Sequence, residues 1–315
     1  MRQKMKNEVI IAGRLYQHDL QLKTVKSETS ANKGMEFISG TIEIATDDEC
    51  TNIVPIHYTY IPRLTKKGTV DSRFTALQNI MKGAKCVVAD GPVDAMKLKV
   101  QSNLGLNDFY NNDDELVSAK RNESGFITVL STLDGEERNK FTMDMVIAQA
   151  TDVDENEERQ IPAHVRLRGY VFDFRNAVLP VEFMVTNEEG MKYFSNLLED
   201  GPVFTKVWGS QDYKTIKTTQ TSEAAFGEDE VTTHDRKKKD WIVTGTQKMT
   251  YEFDSESEDL TPEELKAKLA DREVYLAEVK KRADEWKAQR DSGAAATAAN
   301  AAAPQTTVAA GGFKF

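Results

Sequence analysis

Through the first sixty residues, apolar and polar positions follow the period of two that predicts β-strands. An apolar run from Val9 to Ala12 enters Gly13-Arg14-Leu15, and a second extended piece runs from Leu20 to Val25. A glycine inside such a run marks a strand that bends sharply or that another backbone approaches closely. Closing a small sheet on itself needs that kind of strand, so this stretch reads as the opening strand of a small barrel. Met35 to Ala45 is a second strand, with Ile42 and Ile44 on one face. Thr51 to Ile61 is a third, where Pro55 argues for an edge or a bulge. Phe74, Leu77, Ile80 and Met81 then recur at helical spacing. They predict a short helix from Asp71 to Met81, reversed at Gly83. Ala84 to Asp90 reads as the next strand.

Residues 93–140 read as an insertion, with a polar loop at 107–115 and a strand candidate at 126–133. Phe141 to Val153 alternates and is expected to close the first domain, 1–153. A charged linker follows at 154–160. From Ile161 the same plan begins again, over 161–255. Val165 to Phe172 repeats the apolar strand with an internal glycine, and Val178 to Thr186 is another strand. Met191 to Leu198 has helical spacing, and Val203 to Ile216 is a strand. A polar loop extends to Asp240, and Trp241 to Phe253 is the last strand. This is a repeat of architecture rather than of residues.

Thr261-Pro262-Glu263-Glu264 is a helix start, with Thr as cap, Pro at the first turn and Glu closing a capping box. Leu265, Leu269, Leu276, Val279, Ala283 and Trp286 continue at a spacing of three and four. The helix over 261–290 is expected either to pack on the second domain or to form a homo-oligomer contact. The Ala/Thr/Gly-rich stretch 291–315 reads as a disordered tail, and Phe313 and Phe315 as a partner-binding tip.

Composition sharpens this picture. The chain has 315 residues, a hydrophobic fraction of 39% and a net charge of −10. The mean hydropathy of −0.53 agrees with some of it being unpacked. No apolar run approaches the roughly 18 residues of a membrane span, and no apolar signal core follows the basic start. Two cysteines, Cys50 and Cys86, are too few for a disulfide framework or a cysteine zinc site. They fit a reducing, cytoplasmic setting as small buried apolar groups. The charge is uneven: residues 1–100 carry a net +4 and residues 101–160 a net −9. A phosphate-binding surface is therefore expected in the first domain.

Enzyme chemistry finds little support. There is no Gly-rich phosphate loop and no dinucleotide fingerprint, and His18, His57, His164 and His234 lack metal-ligand spacing. No catalytic residue, metal or cofactor is assigned. Asp47-Asp48-Glu49 reads as an acidic turn, with a two-metal nuclease site as the weakest alternative. Single-strand binding has a better basis, because it pairs a basic groove with aromatic faces on which bases stack. The first domain offers Arg14, Lys23, Lys26, Lys33, Arg63, Lys66, Lys67 and Arg73, interleaved with Tyr16, Phe37, Tyr58 and Tyr60. Arg14 and Tyr16 are two apart, as are Tyr58 and Tyr60, so each pair is expected on one sheet face.

The residues Asn7-Glu8-Val9-Ile10-Ile11-Ala12-Gly13-Arg14-Leu15, then Asp19-Leu20-Gln21-Leu22, resemble the opening strand and turn of bacterial and phage single-stranded-DNA-binding proteins of the OB-fold type. Met81-Lys82-Gly83-Ala84-Lys85-Cys86-Val87-Val88 resembles that family's entry into its fourth strand. The resemblance implies a five-stranded barrel that coats single-stranded DNA without sequence specificity, in replication and recombination. A phage or mobile-element variant, in the host cytoplasm, is the nearer likeness. The fold class expected is mainly β, with tandem OB-fold-like small barrels followed by a C-terminal α-helix and a disordered tail.

Two departures accompany the resemblance. Ile56-His57-Tyr58 stands where the family carries a tryptophan. Lys314 precedes the final Phe315, where the family has acids and Pro. These departures and the charge of −10 keep a second reading open: a protein-interaction scaffold, in a replisome or virion, that retained the fold without DNA binding.

Overall fold

The computed structural model describes residues 5–301 except 27, 29, 157–159, 200, 223–225 and 227–229. The chain is mainly β. Its elements begin with β1 (Asn7–His18), β2 (Gln21–Thr24), β3 (Glu36–Ala45), β4 (Ile53–Pro62), α1 (Ser72–Met81), the helical turn α2 (Val87–Asp90), β5 (Lys97–Tyr110) and β6 (Leu116–Leu130). There follow β7 (Asn139–Val153), β8 (His164–Phe172), β9 (Val178–Val185), α3 (Glu188–Leu197), β10 (Val203–Asp212), β11 (Thr215–Ser222), β12 (Glu230–Lys237), β13 (Asp240–Thr246) and α4 (Pro262–Ala301).

Pairing closes two barrels of the same topology. In the first, the ring runs β1-β5-β6-β4-β3 and returns to β1. Its closing pair is the parallel contact of β4 with β6, Ile56 opposite Asn122. In the second, the ring runs β7-β8-β9-β13-β10 and returns to β7. Again the third strand meets the fifth in parallel, Met184 opposite Ile242. In both, a helix joins the third strand to the fourth. This is the OB-fold arrangement, present twice. The polar-loop expectation for 217–239 gives way to the hairpin β11–β12, inserted between the fourth and fifth strands. Its Thr215, Thr218, Thr219, Thr221, Thr232 and Thr233 favour extended backbone without needing a core.

Three expectations about the chain's division are corrected by these pairings. Residues 93–140 are not inserted into the first barrel: β5 and β6 are its fourth and fifth strands. Residues 84–90 form no strand, and Val87–Asp90 is a helical turn. β7 does not close the first barrel; it opens the second. Its first residues pair with β1, Asn139 opposite Ile11, and its later ones with β8 and β10. One strand thus serves two barrels, which local alternation cannot reveal.

Gly13 behaves as its sequence context predicts. A Cβ there would lie 2.0 Å from the carbonyl oxygen of Ala45, so the β3 backbone crosses at a distance only glycine permits. Gly169 has the same relation to Val146 O, also 2.0 Å, although β8 is the second strand of its barrel rather than the opening one. The buried faces of both barrels join in one core, from Val9, Ile11 and Ile42 to Phe183, Trp241 and Val243. Phe141, Phe183 and Trp241 stack at its centre with centroids 5.3–6.0 Å apart. Helix α1 closes the first barrel with Phe74, Leu77 and Ile80. Asp71 caps it, accepting from the Arg73 backbone.

The chain divides into two compact units, one of residues 1–106 and 119–269 and one of residues 107–118 with the chain from 270. Within the first, Leu260 and Leu265 pack with Val146, Phe172, Val178 and Phe204 of the second barrel. The capping box forms, with Glu264 N donating to Thr261 Oγ1 and Thr261 N donating to Glu264 Oε2. Within the second, the buried pair Arg272–Asp108 joins α4 to the β5–β6 hairpin tip at 2.8 Å, and Asp114 takes both Lys280 and Lys287. The helix runs to Ala301, so residues 291–301 of the expected tail are helical. Phe313 and Phe315 lie outside the described residues. Among the described residues no helix is long and apolar enough to cross a membrane.

Candidate nucleic-acid interface

The outer face of β1, β3 and β4 and the base of the β11–β12 hairpin enclose a cleft of about 680 Å³. The first barrel supplies Tyr16, His18, Thr41, Ile53, Pro55 and His57, with Asp19 and Glu43. The second supplies Tyr213, Lys214, Thr215, Lys237, Lys238 and Lys239. One wall is thus rings and apolar groups with two acids, and the other is cationic.

A seam of amides holds the two walls in register. Asn52 Nδ2 donates to Gln211 O at 3.0 Å, and Tyr213 N donates to Asn52 Oδ1 at 2.7 Å. Asn139 bridges to the Gln211 backbone at both its oxygen and its nitrogen. Tyr213 is buried beneath the cleft, where Trp241 Nε1 donates to its hydroxyl. The next residue, Lys214, therefore emerges at the cleft rim.

The lysines are partly held by acids behind them. Lys238 reaches Asp212 at 2.9 Å and Asp240 at 3.5 Å, and Lys214 reaches Asp212 at 3.5 Å. Burial acts to lower the Lys238 ammonium, yet the hydrogen bond and charge of Asp212, with Asp240, raise it above its ordinary value. It stays charged. Lys237 and Lys239 are exposed.

Opposite them, His57 Nδ1 lies 3.1 Å from Thr41 Oγ1. Burial, with the nearby charges of Arg121 and Lys239, holds its imidazole below the ordinary value, against the pull of Asp19 and Glu123.

Of the residues the sequence proposed for binding, Tyr16 is the one that lines this cleft. Arg14 does not. Its Nη1 donates to Asp48 Oδ1 at 3.1 Å, and Arg138 reaches the same oxygen at 2.8 Å. Hydrogen bonds from Arg138 and Arg14 hold the Asp48 carboxyl below the usual range. Arg14 and Tyr16 part company because β1 bulges between Leu15 and Gln17, with Tyr16 the extra residue.

Tyr58 is the clear correction. It is 1% exposed, burial pushes its phenol up, and its hydroxyl faces Gly125 O. It has no face to offer a base. Tyr60, two residues on, is 40% exposed. The pair is split by a second bulge. β4 places Thr59 and Tyr60 opposite the single residue Ser39, which reverses the alternation between Tyr58 and Tyr60.

Phe37 and Tyr60 do come together, with centroids 4.7 Å apart. Lys23 sits opposite Phe37 across the β2–β3 ladder. Arg63 is paired with Glu36 at 2.7 Å, Arg73 with its neighbour Asp71 at 2.7 Å, and Lys33 with Glu28. Lys26, Lys66 and Lys67 are exposed loop residues.

The acidic turn is a structural device. Asp47 accepts from the backbone of Thr51 and Asn52 at 2.9 Å, while Asp48 holds the two arginines. Among the described residues no three His, Cys, Asp or Glu side chains gather as a metal site. Cys50 and Cys86 are free thiols, both half-buried rather than fully inside.

What the sequence reading missed is the lysine wall. Lys237, Lys238 and Lys239 are visible as a charge run, but in a stretch, 161–250, whose net charge is only −1. Their part in the cleft follows only from the seam that brings β10 against β4.

The model of the YorF family matches residues 6–282 of the chain. No curated protein matches it. Among solved structures, it is similar to a deletion mutant of the single-stranded DNA binding protein from Thermus aquaticus, at 12% identity and a TM-score of 0.46, over 81% of this chain and 99% of that one. The wild-type form of that protein matches at 13% identity and a TM-score of 0.45, over 79% of this chain and 96% of the other.

Proposed function

The chain belongs to the YorF family, and we propose that it binds single-stranded DNA in the cleft shared by its two barrels, without reading sequence. The observation that carries this reading is the pairing of walls. Four lysines, Lys214, Lys237, Lys238 and Lys239, face a surface bearing Tyr16, His18 and His57. Backbone phosphates need distributed cations and unpaired bases need flat faces, and a single-strand site combines the two. No bond is made or broken: lysines meet phosphates, rings meet bases, and condensed counterions are released. The half-buried Phe37 and exposed Tyr60, with Lys23, extend the same outer face along β3 and β4. Coating of exposed strands in replication or recombination is part of this proposal.

One observation favours the rival reading, a protein-interaction scaffold. Asp48, Glu36, Asp71 and Glu28 already neutralise Arg14, Arg63, Arg73 and Lys33, four of the eight cations expected to grip phosphate. Titration with fluorescent oligo(dT) at low and moderate salt separates the two. Binding whose logarithm falls against log salt by about 0.7 per phosphate contact supports the DNA reading. No association at low salt leaves the scaffold.

A further inference from the structure

Two histidines stand in the cleft on strands that flank β3. His57 is on β4 and touches Thr41 of β3 through Nδ1. His18 ends β1, opposite Ile42 of β3. Both residues line the same cavity as Lys237, Lys238 and Lys239. The neutral form suits His57 here, because Arg121 and Lys239 repel a further positive charge.

We propose that phosphate entry into this cleft is coupled to proton uptake by the imidazole of His57, so that DNA affinity rises as pH falls through the histidine range. This rests on the single-strand reading above and adds its regulation.

The charges around His57 can be named element by element. Arg121 and Glu123 face it from β6, Asp19 from the turn after β1, and Lys239 from the turn before β13. Without DNA, burial and the two cations outweigh the two acids and favour the neutral ring. A bound phosphodiester supplies a negative charge and an acceptor at the same place, and it screens Lys239. Both effects favour the protonated ring. By linkage, a group that protonates on binding makes affinity increase with proton concentration, by up to about tenfold per pH unit for each proton taken up.

Oligo(dT) is the right probe, since neither its bases nor its diesters titrate near neutrality. The experiment is titration calorimetry of the whole protein with oligo(dT) at about pH 6.5, in two buffers of different ionisation enthalpy. The difference in heat counts protons directly. The expected result is net uptake of the order of half to one proton per cleft, with affinity higher at about pH 6 than at about pH 8. His57→Gln is expected to abolish the uptake. Tight binding with no buffer dependence overturns this inference and leaves the DNA reading standing. Absence of binding at every pH overturns both. The calorimetric count is made on the native chain, so the decision does not depend on a variant folding.

Discussion

Asn122 on β6 and Gln211 on β10 exchange a reciprocal pair of amide hydrogen bonds at full burial. Asn122 Nδ2 donates to Gln211 Oε1 at 2.9 Å, and Gln211 Nε2 donates to Asn122 Oδ1 at 3.0 Å. Asn122 also donates to Pro55 O at 3.0 Å. The first barrel's closing strand, its cleft strand β4 and the second barrel's fourth strand are thereby tied at one point. Buried amides cost little when fully paired and a good deal when one partner is lost.

Replacing either partner alone should therefore show that asymmetry. Asn122→Leu or Gln211→Leu is expected to lower stability by about 1–3 kcal/mol in urea unfolding. The double replacement should lose less than the sum of the two. Oligo(dT) affinity should fall in the single variants as well, because this seam sets where Lys214 and Tyr213 stand. Additive losses in stability would show that the pair does not act as a unit.

The two tyrosines should separate packing from binding. Tyr58→Ala empties a core position and is expected to cost about 3–5 kcal/mol of stability. Tyr16→Ala is expected to leave the unfolding midpoint nearly unchanged and to lower oligo(dT) affinity by about 1–3 kcal/mol. A Tyr58→Phe variant that binds like the parent would confirm that its role is internal.

Charge reversals should rank by location rather than by barrel. Lys237→Glu and Lys239→Glu are each expected to weaken binding and to flatten the salt dependence by about 0.7 or more. Arg14→Glu should act mainly on the fold, through repulsion from Asp48, with a smaller effect on the salt slope. A larger slope change from Arg14→Glu would move the phosphate track to the first barrel's other end.

Lys120 provides a pH test of the barrel contact. Its ammonium donates to Glu182 O and lies 5.4 Å from the centre of the Phe183 ring, and burial pushes it down to about 8 from 10.5. The folded chain thus gives up this proton before the unfolded chain does. Stability from this group is lowest below about pH 8 and rises as pH climbs toward 10.5. Lys120→Met should remove that rise and raise stability at neutral pH. Parallel stability profiles for the two proteins between those limits would refute it.

Gly13→Ala is expected to be severe. The added methyl would sit 2.0 Å from Ala45 O, and backbone cannot yield as a side chain does. A loss of at least about 3 kcal/mol is expected in urea unfolding. Gly68→Ala is the comparison: its Cβ would meet nothing within 4 Å, and its positive φ of 77° is the remaining penalty. Similar losses at both sites would show that the close approach is not what requires Gly13.

The sequence alone was enough for the mainly β class, the repeated plan, the helix α1 with Gly83 after it, the capping box at Thr261 and the close approach at Gly13. Each is a local matter. A period of two reports a buried face, a cap residue reports a helix start, and a glycine in a strand reports a neighbour too near for a Cβ. The tertiary structure decided the rest, because the rest depends on partners far apart in the chain. β7 pairs with β1 at one end and with β8 and β10 further along, so no local signal says which barrel it opens. Bulges at Tyr16 and at Thr59-Tyr60 break the alternation on which face assignments depend. Arg14 reads as a free cation until Asp48, 34 residues away, is brought beside it. Lys237 to Lys239 read as the end of a polar loop until Asn52, Asn122 and Gln211 bring the hairpin base against β4.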